Sequence, residues 1–404
     1  MATGARPLDK ISVLEMGQLM AGPFCGTILA WFGANVIKIE PPGGDPVRGW
    51  RVLEGGTSLW WRSLARNKRC ITLDLRREEG RALARRLALQ SDVLLENFRP
   101  GTMEGWGLGP EELRRERPAL VYARVSGYGQ TGPYAGRGGF AAVCEAVGGL
   151  RHVTGEPGRP PVRPNLSLGD SLAAFSAVQG VLLALLHRER TGEGQVIDVA
   201  ITEAVLGVME SALMEAERCG VVREPSGGTI TGVVPTNAYL CRDGRRVVIG
   251  ANADPVFVRL MRAVGRADLA GDPALATNAG RVPHAARLDA AIEGWTRTLD
   301  AADVIARLDA ARVPAGPVNS VADILADPHF VARGVLEEAG EGGGGGGEAG
   351  SDLRLPALGP RLSETPGRTT WPGPDLGAHT EEVLRRELGL TAADVEALRG
   401  AGVV

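Results

Sequence analysis

Residues able to do chemistry are sparse in this sequence and gather at three places. The first is Asp170, in Ser167-Leu168-Gly169-Asp170-Ser171-Leu172, directly before the apolar run Leu172–Leu186 (LAAFSAVQGVLLALL). A carboxylate at the start of a helix commonly serves as a cap for free backbone N–H groups. It can also be a nucleophile, kept ionised by the helix dipole. The second place is a set of cations, Arg66, Lys68, Arg69, Arg76 and Arg99, near the carboxyl ends of predicted strands. Together they suit a phosphate-bearing ligand, although each alone also reads as an ordinary solvated charge. The third is His379, in the predicted turn Leu376-Gly377-Ala378-His379, where a lone histidine serves as cap, packing residue or functional group.

Several classes of chemistry are excluded. No G-x-G-x-x-G or Walker-type G-K-[ST] sequence follows a predicted strand, which disfavours a dinucleotide or P-loop site. Five histidines show neither H-x-x-x-H nor H-E-x-x-H spacing, so no metal site is expected. The five cysteines (Cys25, Cys70, Cys144, Cys219, Cys241) form no C-x-x-C and read as reduced thiols. Lys plus Arg (45) against Asp plus Glu (48) gives a net charge of −3, which argues against a nucleic-acid partner. The start MATGARPLDK lacks the apolar core of a secretory signal. The run Leu172–Leu186 reads as too short and too glycine-interrupted to span a bilayer. A soluble, cytoplasmic protein without a membrane partner is the expectation.

The elements that must position these residues follow from periodicity. At 404 residues the chain has room for two domains. Strands are predicted at 11–15, 36–40, 70–75, 93–96, 120–125 and 195–200, with helices at 23–31, 78–90, 172–186 and 201–219 between or after them. Strands alternating with helices call for an α/β fold with a parallel sheet, whose ligands sit beyond the strands' carboxyl ends. The turns Gly17–Gly22 and Asn97–Gly101 are therefore candidate binding loops. A Gly/Pro/Ser-rich stretch, Arg223–Pro235, marks a boundary. Beyond it a hairpin around Arg242-Asp243-Gly244 and helices near 254–264, 283–298 and 301–311 make an α+β module over 225–325. Glu341–Gly350 (EGGGGGGEAG) reads as a flexible loop. Short helices at 380–387 and 392–398 end the chain.

Taken together, the ordered motifs resemble a known family. They are Ala21-Gly22-Pro23, Val36-Ile37-Lys38-Ile39-Glu40-Pro41-Pro42-Gly43, Asn67-Lys68-Arg69 and Glu96-Asn97-Phe98-Arg99-Pro100-Gly101. Ser126-Gly127-Tyr128-Gly129-Gln130-Thr131-Gly132-Pro133, Gly169-Asp170, Thr191-Gly192-Glu193-Gly194-Gln195 and Ala378-His379-Thr380 complete them. In this order, over essentially the whole chain, the sequence is similar to the class III CoA-transferases (the CaiB/BaiF family). The resemblance implies a large Rossmann-like CoA-binding domain over 1–222, a small α+β domain over 225–325, and a C-terminal part, 330–404, returning to the large domain. It also implies an interlocked homodimer, with long linkers near Arg223 and Asp327.

The resemblance places the family nucleophile on Asp170. Acyl-CoA and a small carboxylic acid would be the substrates, exchanging CoA through an aspartyl thioester, with no prosthetic group. CoA would be held by Leu19, Met20 and Ala21, by Leu73 and Arg76, by Asn97, Phe98 and Arg99, and by Arg137. A glycine loop at Gly227, Gly228 and Thr229 would supply oxyanion donors. Four positions depart from the pattern. Met20 stands where formyl-CoA transferases carry Gln, Gly105 replaces an Arg and Gly138 a Lys, and Ala141 stands where many members carry Asp. The look of the sequence is nearest to members using succinyl-CoA with a dicarboxylate acceptor, and Arg163 before the nucleophile can pair a second carboxylate. Two alternatives stand beside this reading. One is an α-methylacyl-CoA racemase-like enzyme, although Phe140 occupies the place of its histidine. The other is a CoA-binding homologue without catalysis.

Overall fold

The computed structural model describes residues 5–339 and 353–404, so the glycine-rich stretch Glu341–Gly350 lies outside the described residues. The chain divides into two compact units. Met1–Leu150, Pro164–Glu210 and Ala332–Val404 form the first, and Arg151–Arg163 with Ser211–Val331 form the second. Arg151–Arg163 and the stretch from Ser211 to Val222 thus cluster with the second unit, whereas the resemblance implies a large domain over 1–222.

In the first unit the chain runs β1 (Ser12–Glu15), α1 (Ala21–Trp31), β2 (Asn35–Glu40), β3 (Lys68–Thr72), α2 (Glu78–Gln90), β4 (Val93–Glu96) and β5 (Val121–Ser126). It continues through α3 (Ala141–Val147), α4 (Leu168–Thr191), β6 (Val196–Ala200) and α5 (Ile201–Leu206). The six strands form one sheet in the order β3-β2-β1-β4-β5-β6, with every pairing parallel. Alternate residues build its two faces. Val13, Val36, Val93 and Val121 pack with α1 and α4 on one side. Leu14, Ile37, Leu94 and Tyr122 pack on the other, with Leu83 and Leu87 of α2. Full burial of each such side chain is worth about 1.5–3 kcal/mol, which fixes the register. Strand order reverses between β1 and β4, and their carboxyl ends open the crevice where ligands of such sheets bind.

The second unit holds α6 (Ala212–Cys219), β7 (Thr236–Leu240), β8 (Arg246–Gly250), α7 (Asp254–Ala263), α8 (Ala285–Thr296), α9 (Ala301–Ala310) and β9 (Ala315–Pro317). Its three strands pair antiparallel in the order β9-β8-β7 over a core with Phe257, Leu288, Ile292 and Val304. The chain then ends in α10 (Thr380–Leu388) and α11 (Ala392–Gly400), whose Val383, Leu384 and Val395 join the second face of the large sheet.

Two helix expectations change. The apolar run is the middle of a 24-residue helix, α4, long and apolar enough to cross a membrane by length and composition. The extension arises because Leu168 and Gly169 begin the helix a turn earlier and His187–Thr191 continue it with polar side chains. Small residues on one side of α4, Ala173, Ala174, Ala177 and Ala184, are buried in the core against the sheet. The helix expected over 201–219 is two, α5 and α6, because the chain turns from Gly207 to Ser211.

Charged residues inside the sheet hold the turn that follows β1. Lys38 Nζ lies 3.0 Å from Glu15 Oε1 and 3.2 Å from Asp45 Oδ2, and Lys68 Nζ lies 2.8 Å from Glu15 Oε2. All four side chains are buried. Burial works against the Lys38 ammonium, but Glu15, Asp45 and Glu40 outweigh it and raise its pKa. For Lys68 burial prevails and lowers it. Lys38 also donates to Gly17 O (2.7 Å), and Asp45 accepts from the Leu19 N–H at 3.2 Å. Leu19 sits at φ 65°, a left-handed conformation costly for a branched side chain and held by this contact. Arg48 closes the ring with two 2.7 Å bonds to Glu40.

The edge strand β3 is covered by the C-terminal segment. Asn67 Oδ1 accepts from Thr370 N (2.6 Å) and its Nδ2 donates to Arg368 O (2.8 Å). His379 N donates to Cys70 O at 3.0 Å, and its Nδ1 accepts from Cys70 N at 3.2 Å. The lone histidine is thus a packing residue that satisfies an otherwise open sheet edge.

Three outcomes follow. Lys68→Met leaves Glu15 one cation short in a dry site, and urea unfolding is expected to show a loss of about 3 kcal/mol or more. Arg385→Ala, which removes only the exposed Arg385–Glu381 pair, is expected to cost less than about 1 kcal/mol. Burial lowers the pKa of His379. The unfolded chain therefore takes up a proton that the folded chain refuses, and stability falls as pH drops through the ordinary histidine range. In urea melts the wild type should lose up to about 1.4 kcal/mol per pH unit below about pH 6.5 relative to His379→Asn. Parallel curves for the two proteins would refute this.

Candidate active site

A cavity of about 250 Å³ opens in the first unit at the reversal of strand order. Its walls are Leu19, Met20 and Ala21 after β1, Asn97–Pro100 after β4, and Val125, Ser126 and Gly127 at the end of β5. The loop Arg137–Phe140, Asp170 and Ile201 complete it. Asp170 and seven of the nine residues expected to hold CoA (Leu19, Met20, Ala21, Asn97, Phe98, Arg99 and Arg137) are therefore brought together.

Asp170 is half-buried and occupies the third position of α4, with Ser167 as the N-cap. It is a first-turn acid and not the cap. Its carboxylate still lies in the favourable field of the helix N-terminus. The preceding amide, Gly169 N, donates to Glu145 Oε1 at 3.1 Å. Glu145 is fully buried on α3, and a side chain at position 169 would meet its Cγ at 3.1 Å. This carboxylate, unassigned by sequence reasoning, props the turn that presents Asp170. Its one signal in the sequence is a single charge inside the small apolar helix AAVCEAV. Beside it, burial together with Asp170 and Glu145 pushes the Cys144 thiol up to about 11, so it stays protonated and no competing nucleophile arises.

The Asn97 side chain braces the two switch-point turns. Its Oδ1 accepts from Gln18 N (2.8 Å) and its Nδ2 donates to Gln18 O (2.8 Å). Glycine is required opposite it, since a Cβ at Gly17 would lie 2.4 Å from Asn97 Oδ1. The turn is set from behind by Glu96, which accepts from Phe98 N at 2.7 Å and from Arg124 at 2.8 Å. Phe98 stands edge-on to Trp106, with centroids 5.1 Å apart.

The cations sort sharply. Arg66 donates to Pro356 O, Lys68 pairs with Glu15, and Arg69 with Glu387 and Glu382. Arg76 projects into solvent, paired with Asp74 at 2.8 Å, and Leu73 is fully buried in the core. Neither Leu73 nor Arg76 lines the cavity. Of the five cations near strand ends, Arg99 alone lines it. Its Nη2 lies 3.3 Å from where a Cβ of Gly138 would be, so the small residue at 138 makes room for the guanidinium. Arg137 stacks on Tyr134 at 3.7 Å on the same rim.

Gly227, Gly228 and Thr229 lie in the second unit, in a tight turn. Ser226 Oγ donates to Thr229 O and Thr229 Oγ1 to Ser226 O, at 2.7 and 2.8 Å. Gly227 sits at φ 65°, and its N–H donates to Gly155 O at 2.9 Å. Among the described residues no group of His, Cys, Asp and Glu could hold a metal ion.

Comparison with known proteins puts this architecture in context. The family model CoA-transferase family III matches residues 8–380. The chain is 48% identical to a succinyl-CoA–D-citramalate CoA-transferase of Chloroflexus aurantiacus, over 99% of this chain and 98% of that one. It is 34% identical to a succinate–glutarate CoA-transferase of Agrobacterium fabrum, over 94% and 95%. Among solved structures, a CAIB/BAIF family protein from Brucella suis superposes with a TM-score of 0.83 at 34% identity, covering 95% of this chain and all of that one. The chain belongs to CoA-transferase family III and is a CoA-transferase.

Proposed function

We propose that Asp170 is the nucleophile of this CoA-transferase and that succinyl-CoA and a dicarboxylic acid are its donor and acceptor. The observation that carries the reading is the placement of Asp170 on a helix N-terminus, in one cavity with both switch-point turns. An Asp170 oxygen adds to the donor thioester carbonyl and CoA leaves as a thiolate, giving a mixed anhydride. The thiolate then attacks the Asp170 acyl carbon, releasing the donor acid and leaving an aspartyl-CoA thioester. The acceptor carboxylate attacks this thioester, and the thiolate returns to the acceptor acyl carbon, freeing Asp170. Charge is conserved at each step, and the sequence needs no prosthetic group or metal.

Leu19, Met20 and Ala21 with Phe98 would line the path of the pantetheine arm, and Arg99 and Arg137 would meet CoA phosphates at the rim. The succinyl-CoA and dicarboxylate assignment is supported by the activities named for the two relatives above. Against a racemase-like proton shift stands Phe140, which brings no base to the cavity wall. We also propose a cytoplasmic homodimer, interlocked as in the family. It would cover the apolar side of α4 that the first unit leaves exposed, at Phe175, Leu182, Leu183 and Leu186.

The test is direct. After mixing with succinyl-CoA, borohydride or hydroxylamine trapping should mark Asp170 in intact-mass and peptide spectra, and Asp170→Ala should lose at least about 10³-fold in kcat. An Asp170→Ala enzyme that transfers at the wild-type rate, or failure with every dicarboxylate in an acceptor panel, would overturn the corresponding half of the proposal. Arg99→Ala is expected to raise the KM for acyl-CoA about tenfold while leaving that for the acceptor unchanged, as loss of one charged contact to phosphate requires.

A further inference from the structure

At the start of α4 the sequence reads Ser167-Leu168-Gly169-Asp170, with a hydroxyl at the N-cap and a carboxylate three residues on. This spacing normally closes a capping box, in which each side chain accepts the backbone N–H of the other. Two other helices of the chain do so. Before the helix Val321–Ala326, Asp323 Oδ2 accepts from Ser320 N at 2.8 Å and from Ser320 Oγ at 2.7 Å, and Asp323 N donates to Ser320 Oγ at 3.2 Å. Before α11, Thr391 and Asp394 repeat the three bonds at the same lengths. At α4 the box is open: among the described residues the Ser167 side chain caps no amide of the helix. The backbone differs accordingly. Ser320 and Thr391 have ψ of 169° and 164°, whereas Ser167 has ψ of 65°.

A second helix supplies the cap instead. The Gly169 N–H, at the second position of α4, donates to Glu145 Oε1 of α3 at 3.1 Å. Glu145 is fully buried, and its helix is wedged in place. At Gly148, the residue that ends α3, a Cβ would lie 2.8 Å from Val205 Cγ1 and 3.0 Å from Thr202 O of α5. Gly169 is as tightly placed, since a Cβ there would lie 3.1 Å from Glu145 Cγ and 3.3 Å from Ile201 Cγ2. A carboxylate is costly to bury unless hydrogen bonds compensate it. Its use on an amide that Ser167 could cap from within the helix calls for a reason beyond the stability of α4.

We propose that Glu145 is a positioning residue for CoA transfer: by capping α4 from α3 it keeps the Ser167–Asp170 box open and Asp170 on the cavity wall, a role that rests on Asp170 being the nucleophile. In a closed box the Asp170 carboxylate would accept from both the amide and the hydroxyl of Ser167, as Asp323 and Asp394 do from their caps. Hydrogen bonds to a carboxylate favour its charged form and lower its basicity, and they would fold it back onto its own helix, away from an incoming thioester. Glu145 moves no proton and forms no bond in the reaction. It acts only through the geometry of the first turn, which its rigid mount on α3 fixes before any substrate arrives.

The experiment compares wild type with Glu145→Ala, Glu145→Gln, Ser167→Ala, the double variant Glu145→Ala with Ser167→Ala, and Asp170→Ala. Rapid mixing with succinyl-CoA and intact-mass detection gives the rate of Asp170 adduct formation, and steady-state assays give kcat and KM. Glu145→Ala is expected to slow adduct formation and kcat at least about tenfold, with the KM for acyl-CoA within about threefold, as displacement of a reacting group requires. Glu145→Gln keeps an oxygen for the Gly169 amide and should stay within about threefold of wild type. Ser167→Ala alone should be silent, because its hydroxyl caps nothing in the wild type. Added to Glu145→Ala it should raise the rate at least about threefold, because half of the newly closed box is removed; a merely structural Glu145 would make the two losses additive. If Glu145→Ala does not fold, Gly169→Ala, whose methyl group displaces the Glu145 side chain, replaces it in both backgrounds with the same expected loss and recovery. A wild-type adduct rate in the Ala variant, a Gln variant no better than Ala, or a double variant no faster than the single one overturns the role. An active Asp170→Ala enzyme would instead sink the nucleophile reading, and the two failures are thereby told apart.

Discussion

The architecture around the cavity depends on charges that cannot leave the interior. Glu15, Lys38, Lys68 and Asp45 lie on or beside β1, β2 and β3, fully shielded from water. Each ion removed from water carries a desolvation penalty of several kcal/mol, repaid only if every partner is in place. One arrangement of the three strands meets that condition, so the network binds register and turn together. Its outward consequence is local: the Gly17 carbonyl is held by Lys38, the Leu19 amide by Asp45, and the chain is pinned left-handed at Leu19. The first wall of the cavity is thus tethered to the sheet by charge and not by apolar packing alone. Position 26 on α1 shows how tight the arrangement is, since a Cβ there would lie 1.9 Å from Glu15 Oε2.

A second buried set repeats the device one strand away. Glu96, at the end of β4, takes Arg124 of β5 on one oxygen and the Phe98 amide on the other, and Arg124 also reaches Glu104. Burial pushes the Glu96 carboxyl up to about 7, against the pull of Arg124. The two sets stand on either side of the switch point, and Asn97 joins them by clamping Gln18. Polar side chains at this end of the sheet are thereby divided between two tasks. Most bond one another and keep the turns still. Asp170, Arg99 and Arg137 line the cavity where a ligand would lie. Turns held still in this way are what preorganisation of such a site requires.

Much of the sheet was legible in the sequence because apolar burial is a local pattern. Val13 and Leu14, or Val93 and Leu94, alternate in a way that only a strand covered on both faces needs, and Leu83 and Leu87 mark the inner side of α2. Asp170 was legible as the start of a helix, but its position in the first turn was not, since Leu168 and Gly169 signal neither helix nor loop. The charges were least legible. Lys38 and Glu40 in the strand NVIKIE look like an outward polar face, and Lys68 and Arg69 look like anion binders. Their partners lie 23 or more residues away along the chain, at Glu15, Glu382 and Glu387, or nearby only through a turn, as Asp45 and Arg48 do. A residue type announces a charge, but only the tertiary pairing decides whether it is a brace or a site. The exception is Arg99, which is distinguished by the glycine opposite it.

In the proposed mechanism no step needs energy from outside, because one thioester is exchanged for another. The demand falls instead on keeping the activated acyl group from water while two different acids use the same position. An aspartyl-CoA thioester exposed to solvent would hydrolyse and lose the CoA bond energy that the reaction exists to conserve. The cavity answers this with a mostly apolar wall of Leu19, Met20, Ala21, Val125 and Ile201 and with its charged groups on the rim. A dry wall has a second effect, since it would raise the barrier to forming an oxyanion unless a donor were built into it. Exclusion of water and provision of a donor for that oxyanion are therefore one requirement and not two.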